Sequence, residues 1–145
     1  MRPLAAIPAA LLLALLLAPS GCKDKAEKIT SPAYMLDLLA KRWSEARQTL
    51  QSDRPNLGVF RTVDHLLRFR LPPRIKKAYS GDDKQQLLAK LRELGRAYRD
   101  QIQSRLDMRG NEVRLASGVT LEQFRHAFAG LDEQYRQLEA MTGGP

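Results

Sequence analysis

The spacing of apolar residues near the C-terminal end constrains the fold more than any other feature of the chain. Large apolar side chains recur there at alternating intervals of three and four: Leu121, Phe124, Phe128, Leu131, Tyr135 and Leu138. Residues at these intervals share one face of an α-helix, whereas a strand would place them on both of its faces. Thr120 and Gln123 have the spacing of a capping box, and Gly143-Gly144 is typical of a helix end. The segment therefore predicts an amphipathic helix that buries one face.

Three earlier segments repeat this periodicity. The first is predicted to begin at Ser31-Pro32, and the third covers residues 83–108, where Gly95 borders the apolar face and suggests close approach of another helix. The second should stop or bend at Pro72-Pro73, because proline lacks the backbone N–H that continues a helix. The predicted inward-facing residues are, helix by helix, Leu36, Leu39, Trp43, Ala46 and Leu50; Phe60, Val63, Leu67 and Leu71; and Leu87, Leu91, Leu94, Tyr98, Ile102 and Leu106.

Residues 111–119 are the least regular part of the chain. Val113 and Leu115 alternate with polar residues as in a short strand. A lone strand without a partner is unstable, so we expect a loop packed on the helices. The sequence thus predicts an all-α fold, an antiparallel bundle of three to four helices over residues 31–142, in which the last two helices pair most extensively.

The first 21 residues have the form of a secretory signal. Arg2 precedes the apolar run Leu4–Ala18, and small residues follow it. Crossing about 30 Å of hydrocarbon takes about 20 apolar residues, and this run is shorter. Cys22–Thr30 is polar and charged, which predicts a short tether. A cleaved signal peptide over residues 1–21 is favoured, with a retained membrane-spanning anchor as the alternative.

The end of this signal resembles the lipobox of bacterial lipoproteins. Ser20-Gly21-Cys22 follows a run rich in leucine and alanine, although Pro19 stands where the pattern usually has an aliphatic residue. The resemblance implies that Cys22 is acylated, becomes the first residue and anchors the protein to a membrane on the periplasmic side of the cell envelope. Two or more acyl chains make such anchoring stable. Lys23, where an aspartate would signal retention at the inner membrane, favours the outer membrane.

Residue types suited to catalysis or metal binding are few. Two histidines and one cysteine cannot supply a four-ligand zinc site, and a single cysteine cannot form an internal disulfide. His65 and His126 fall on different predicted helices, and nothing in the sequence brings them together. The motifs of P-loop proteins, dinucleotide-binding folds, zinc proteases and serine hydrolases are absent. We therefore expect no catalytic residue, no metal, no cofactor and no enzymatic activity.

One group of basic residues stands out against the formal net charge of +8. Five cationic side chains and no acidic one lie within residues 68–77, and we call them the basic cluster: Arg68, Arg70, Arg74, Lys76 and Lys77. They flank the predicted bend at Pro72-Pro73. They are either a solvated surface or a contact site for anionic lipid, cell wall or an acidic protein partner. Each basic residue near an anionic membrane surface adds about 1 kcal/mol of attraction.

The third helix carries charges of both signs. Arg92, Arg96 and Arg99 run beside acidic residues, which is typical of a solvated surface. Nucleic-acid binding calls for an unrelieved basic surface with aromatic stacking platforms, so we expect no nucleic-acid partner.

These observations favour a lipid-anchored helical interaction or structural module of the cell envelope. The alternative is a small-ligand carrier, which a pocket lined by Trp43, Phe60, Tyr98 and Phe128 would favour. The remaining hypothesis is an enzyme, which a pocket containing both a histidine and a carboxylate would favour.

Overall fold

A computed structural model describes residues 32–78 and 81–142 of the chain. The predicted signal peptide, the tether with Cys22, Ser31 and Gly143-Gly144 lie outside the described residues. The described part is an all-α bundle, as predicted, and it also contains one very small sheet. Its elements are α1 (Pro32–Thr49), α2 (Gly58–His65), a π-helical turn (Leu66–Arg70), α3 (Leu71–Ala78), α4 (Gly81–Gln101), a 3-10 turn (Gln103–Arg105), β1 (Leu106–Asp107), β2 (Arg114–Leu115) and α5 (Leu121–Met141).

The core is built from the periodic apolar residues. Of the predicted inward-facing set, all are buried except Leu36 and Leu121, which are half-buried. Helices α4 and α5 pack against each other more extensively than any other two elements, which confirms that prediction. The capping box at the start of α5 is also confirmed, because Thr120 Oγ1 accepts from the Gln123 N–H at 3.1 Å and Gln123 Oε1 accepts from the Thr120 N–H at 3.0 Å.

Of the two alternatives predicted at Pro72-Pro73, a stop or a bend in the second helix, the stop is wrong. The backbone stays helical from α2 through the π-helical turn and α3 to Ala78. The Leu71 N–H donates to the Leu66 carbonyl, the longer reach that defines a π-turn. Both prolines lie in the first turn of α3, directly after the change of hydrogen-bond register at the π-helical turn. We call residues 58–78 the second arm, and the basic cluster lies on its helical surface.

The boundary after α4 also differs from the prediction. The helix ends at Gln101 instead of residue 108. Residues Leu106–Asp107 form β1, which pairs with β2, so the segment 111–119 that was expected to be a loop contains a short strand. Leu106 pairs with Leu115, and Asp107 pairs with Arg114, in an antiparallel register. Leu106 is buried in this strand just as it would be on the inner face of a longer helix. Its apolar character therefore did not distinguish the two conformations.

None of the helices in the described part of the chain is both long and apolar enough to cross a membrane.

Polar contacts join the second arm to the hairpin formed by β1 and β2. Arg61 of α2 donates from Nη2 to the carbonyl oxygens of Met108 at 2.7 Å and Gly110 at 3.1 Å, in the loop between β1 and β2. The position of the second arm beside α4 sets the geometry of a groove between them.

Candidate anion-binding surface

Arg68, the first member of the basic cluster, has partners within the protein. Its Nε donates to Asp64 Oδ1 at 2.6 Å, and its Nη2 donates to Asp64 Oδ2 at 3.1 Å and to Gln103 Oε1 at 3.3 Å. Asp64 is buried, and its hydrogen bond raises the pKa of Arg68. The sequence placed no acid among residues 68–77, but the compensating carboxylate lies one helical turn earlier. Arg68 is therefore half-buried, oriented and locally neutralised.

The other four members of the basic cluster are not neutralised in this way. Arg70, Lys76 and Lys77 are exposed and Arg74 is half-buried. None of the four forms an ion pair with another residue in the described ranges 32–78 and 81–142. Their positive field extends about 8 Å at physiological ionic strength, so it acts on a surface close to the arm.

The sequence reasoning missed an aromatic residue within this basic surface. Phe69 is 57% exposed and is the most exposed of the large apolar side chains described. The Arg68 guanidinium carbon lies 5.1 Å from its ring centroid, and the His65 ring lies 5.7 Å away. The available signal was its position, since Phe69 falls between the inward-facing Leu67 and Leu71 and must point elsewhere. An exposed aromatic ring among cations is typical of helices that lie at a membrane interface.

A narrow groove of about 200 Å³ runs between the second arm and α4. Its lining combines an apolar floor with a rim of guanidinium groups: Leu67, Pro72, Leu91 and Gly95 for the floor, and Arg68, Arg92, Arg96 and Arg99 for the rim. The sequence assigned the three arginines of α4 to a solvated surface. What it could not show is that packing of the arm against α4 brings Arg68 to the same groove.

Gly95 lies where the second arm approaches α4. It is buried, and a methyl group added at this position would lie 3.6 Å from Cγ of Arg68, which is ordinary van der Waals contact. The nearest group is thus a side chain of the π-helical turn, and close approach of another helix does not explain this glycine.

Neither of the two histidines lines this groove. His65 is exposed beside Phe69, and His126 is exposed on α5. An open depression beside His126 is lined by Ser104, Arg105, Val119 and Gln123, none of which is a carboxylate. Among the residues the structure describes, no group of three histidine, cysteine or acidic side chains is placed to hold a metal ion.

The four aromatic residues proposed as a pocket lining pack on one another instead. The Trp43 ring lies 5.2 Å from that of Phe128 and 6.1 Å from that of Tyr98, and Phe60 meets Phe128 edge-on at 5.6 Å. The Tyr98 hydroxyl donates to the Phe60 carbonyl at 2.7 Å. Burial raises the pKa of Tyr98 well above its ordinary value. These four rings contact one another in the core and do not line an open pocket.

The chemistry that this surface offers is recognition of anions. Guanidinium groups present planar pairs of donors that match phosphate and carboxylate oxygens, and the groove places such groups beside apolar carbon.

Comparison with protein-family models, curated proteins and solved structures finds no match to this chain. The basic cluster, Phe69 and the groove are therefore the features from which a function can be inferred.

Proposed function

We propose that this protein is a lipid-anchored interaction module of the bacterial cell envelope, and that its second arm lies against an anionic membrane surface. The observation that carries the proposal is the exposed Phe69 within a helical surface whose cations Arg70, Arg74, Lys76 and Lys77 lack acidic partners in the described part of the chain. Basic side chains supply long-range attraction to anionic headgroups, and an aromatic ring supplies short-range apolar contact at the interface.

The predicted anchor makes such a contact easy to reach. If Cys22 is acylated, residues 22–30 connect the membrane to the bundle. At about 3.5 Å per residue, this tether spans at most about 30 Å even when fully extended. Headgroups thus stay at high local concentration, and weak attraction by the arm is enough to orient the domain.

Vesicle cosedimentation tests the proposal. The protein used is the chain from residue 22 onward with Cys22→Ser, so that no acyl chain contributes to binding. It is mixed with phosphatidylcholine vesicles with and without phosphatidylglycerol, at low and high salt. We expect binding only to the anionic vesicles at low salt, and loss of most of it when Arg74, Lys76 and Lys77 are changed together to glutamate.

A matched control separates the position of the charges from their number. Lys41, Arg54 and Arg114 are exposed and lie outside the second arm. Changing these three to glutamate alters the net charge by the same amount, and this variant should keep most of the binding. Equal loss in both triple variants would mean that net charge alone drives attraction. No binding by the wild-type chain at low salt would refute the membrane contact and leave an acidic protein or the cell wall as the partner.

A further inference from the structure

We propose that the groove between the second arm and α4 binds the phosphate-bearing headgroup of a single anionic phospholipid. This inference rests on the proposed membrane contact and gives it a specific site. The basic cluster attracts any anionic surface, whereas the groove can select one molecule within that surface by shape and by hydrogen bonding.

The charges around the groove favour an anion. Four guanidinium groups line it, and the acidic partners that the structure gives them are Asp64, bound to Arg68, and Asp100, 3.4 Å from Arg99. Two positive charges remain in excess. Arg92 and Arg96, one helical turn apart on α4, form no ion pair within the described ranges, and Glu93 between them lies 3.7 Å from Lys90. A phosphate group, with several acceptor oxygens, fits between two such donors.

Asp64 gives one side of this rim a fixed geometry. It holds the Arg68 guanidinium by two hydrogen bonds, so the orientation of that group is set before any ligand arrives. Preorganisation of this kind lowers the entropic cost of binding.

Gly95 keeps the floor of the groove open. A glycine within a helix costs about 1 kcal/mol relative to alanine, and packing does not require it here, since an added methyl group would make only an ordinary contact with Arg68. The residue therefore preserves depth between Leu67 and Leu91. Apolar carbon of a lipid glycerol backbone can rest on this floor while the phosphate meets the arginines.

The size of the groove points to part of a larger molecule. Its volume of about 200 Å³ is below the roughly 300–1,000 Å³ of pockets that enclose whole small-molecule ligands. A membrane phospholipid suits such a site, because its compact charged headgroup binds and its acyl chains stay in the bilayer. The exposed Phe69 on the same arm would enter the interface beside it.

Native mass spectrometry of the full-length protein tests this site. The protein is released from nonionic detergent micelles after addition of dioleoylphosphatidylglycerol or dioleoylphosphatidylcholine. The key variant is Gly95→Leu, which fills the floor without changing the charge. Its matched control is Gly130→Leu, the same change on the exposed face of α5, where the surrounding space is open.

We expect the wild-type protein and Gly130→Leu to retain one phosphatidylglycerol in about tenfold preference to phosphatidylcholine, which corresponds to about 1.4 kcal/mol. Gly95→Leu should lose that preference. A second variant, Arg92→Gln with Arg96→Gln, changes only exposed side chains and should lose it too, so the conclusion does not depend on how well Gly95→Leu folds.

The outcomes separate this inference from the function on which it rests. If the wild-type protein shows no preference, or both variants keep it, the groove is not a lipid site, even where anionic vesicles still bind the wild-type chain. If vesicles fail to bind, the proposed membrane contact itself fails. Loss of the preference in Gly95→Leu, with low-salt vesicle binding retained, supports both and assigns them to different residues.

Discussion

The indole Nε1–H of Trp43 donates a hydrogen bond to Oδ1 of Asp132 across 2.8 Å, which joins α1 to α5. The same oxygen accepts from Nε of Arg47 at 2.7 Å, and Oδ2 lies 3.4 Å from a terminal nitrogen of Arg136. Trp43 is completely buried, so its one side-chain donor needs a partner inside the protein. Asp132 supplies that partner at the edge of the core, and it also orients the Arg47 side chain.

Removal of this carboxylate should destabilise the bundle. Asp132→Ala leaves the buried Trp43 donor without an acceptor, which costs about 1–3 kcal/mol of unfolding free energy. Urea denaturation followed by circular dichroism measures the change. The control is Glu133→Ala, because Glu133 is exposed and meets Arg136 only at 3.9 Å; it should stay within about 0.5 kcal/mol of wild type. Equal midpoints for the two variants would show that Asp132 does not hold α1 to α5.

Phe128 should be one of the most sensitive core positions. Its ring stacks on Trp43 and meets Phe60 edge-on, and only 4% of the residue is exposed. Phe128→Ala should lower the unfolding free energy by about 3–5 kcal/mol, through lost apolar burial and the cavity that remains. Gln137→Ala, on the exposed side of the same helix, should change it little. If both variants unfold at the same denaturant concentration, α5 buries a different face.

Alkaline pH should destabilise the protein through Tyr98. Burial, followed by the nearby charge of Asp64, raises the pKa of Tyr98 well above its ordinary value of about 10. A pKa raised in the folded state means that the neutral phenol's contribution is complete below about pH 10 and is lost as pH rises toward the folded-state pKa. We expect the thermal midpoint to fall steadily above pH 10. Tyr98→Phe should lower it by the loss of the hydrogen bond to Phe60 near pH 7, and should make the decline above pH 10 shallower. An unchanged slope would exclude Tyr98 as its source.

Two glycines should respond to alanine in opposite ways. Gly95→Ala should raise the unfolding free energy by up to about 1 kcal/mol, since alanine favours the helix and the added methyl group has room. Gly110 has a φ of +74°, so Gly110→Ala should lower it by about 1–2 kcal/mol through backbone strain. Denaturation midpoints of the two variants give the comparison. Destabilisation by Gly95→Ala would mean that the second arm packs closer to α4 than the 3.6 Å between an added methyl group and Cγ of Arg68.

The anchor is tested by the mass of the mature protein. If the resemblance to lipoproteins holds, the chain recovered from cells begins at Cys22 and carries the added mass of acyl chains. Cys22→Ala should leave an uncleaved precursor or release the domain from membranes. An unmodified chain that still begins at Met1 would contradict lipidation and favour a retained signal anchor.

Local periodicity was enough to predict the helices and their buried faces. The series from Phe124 to Leu138 is buried as its spacing requires, because side-chain direction along a helix depends only on position in the chain. The Thr120–Gln123 capping box was predictable for the same reason, since its two hydrogen bonds join residues three apart.

The features that the sequence did not reveal depend on contacts between distant segments. Leu106 could continue α4 or form a strand, and the choice depends on its pairing with Leu115. Pro72-Pro73 continues the second arm because the π-helical turn before it changes the hydrogen-bond register.

An all-α bundle, the faces that its helices bury and a concentration of positive charge were thus predictable, because each of these follows from residue type and spacing along the chain. Which charges stay without an acidic partner, and where they come together, depends on how the helices pack. Arg68 is paired with Asp64, and the groove exists because the second arm packs beside Gly95, 27 positions further along the chain. Helix propensity and periodicity do not show that the second arm and Gly95 come together in space, whereas the shapes of the packed helix surfaces determine it.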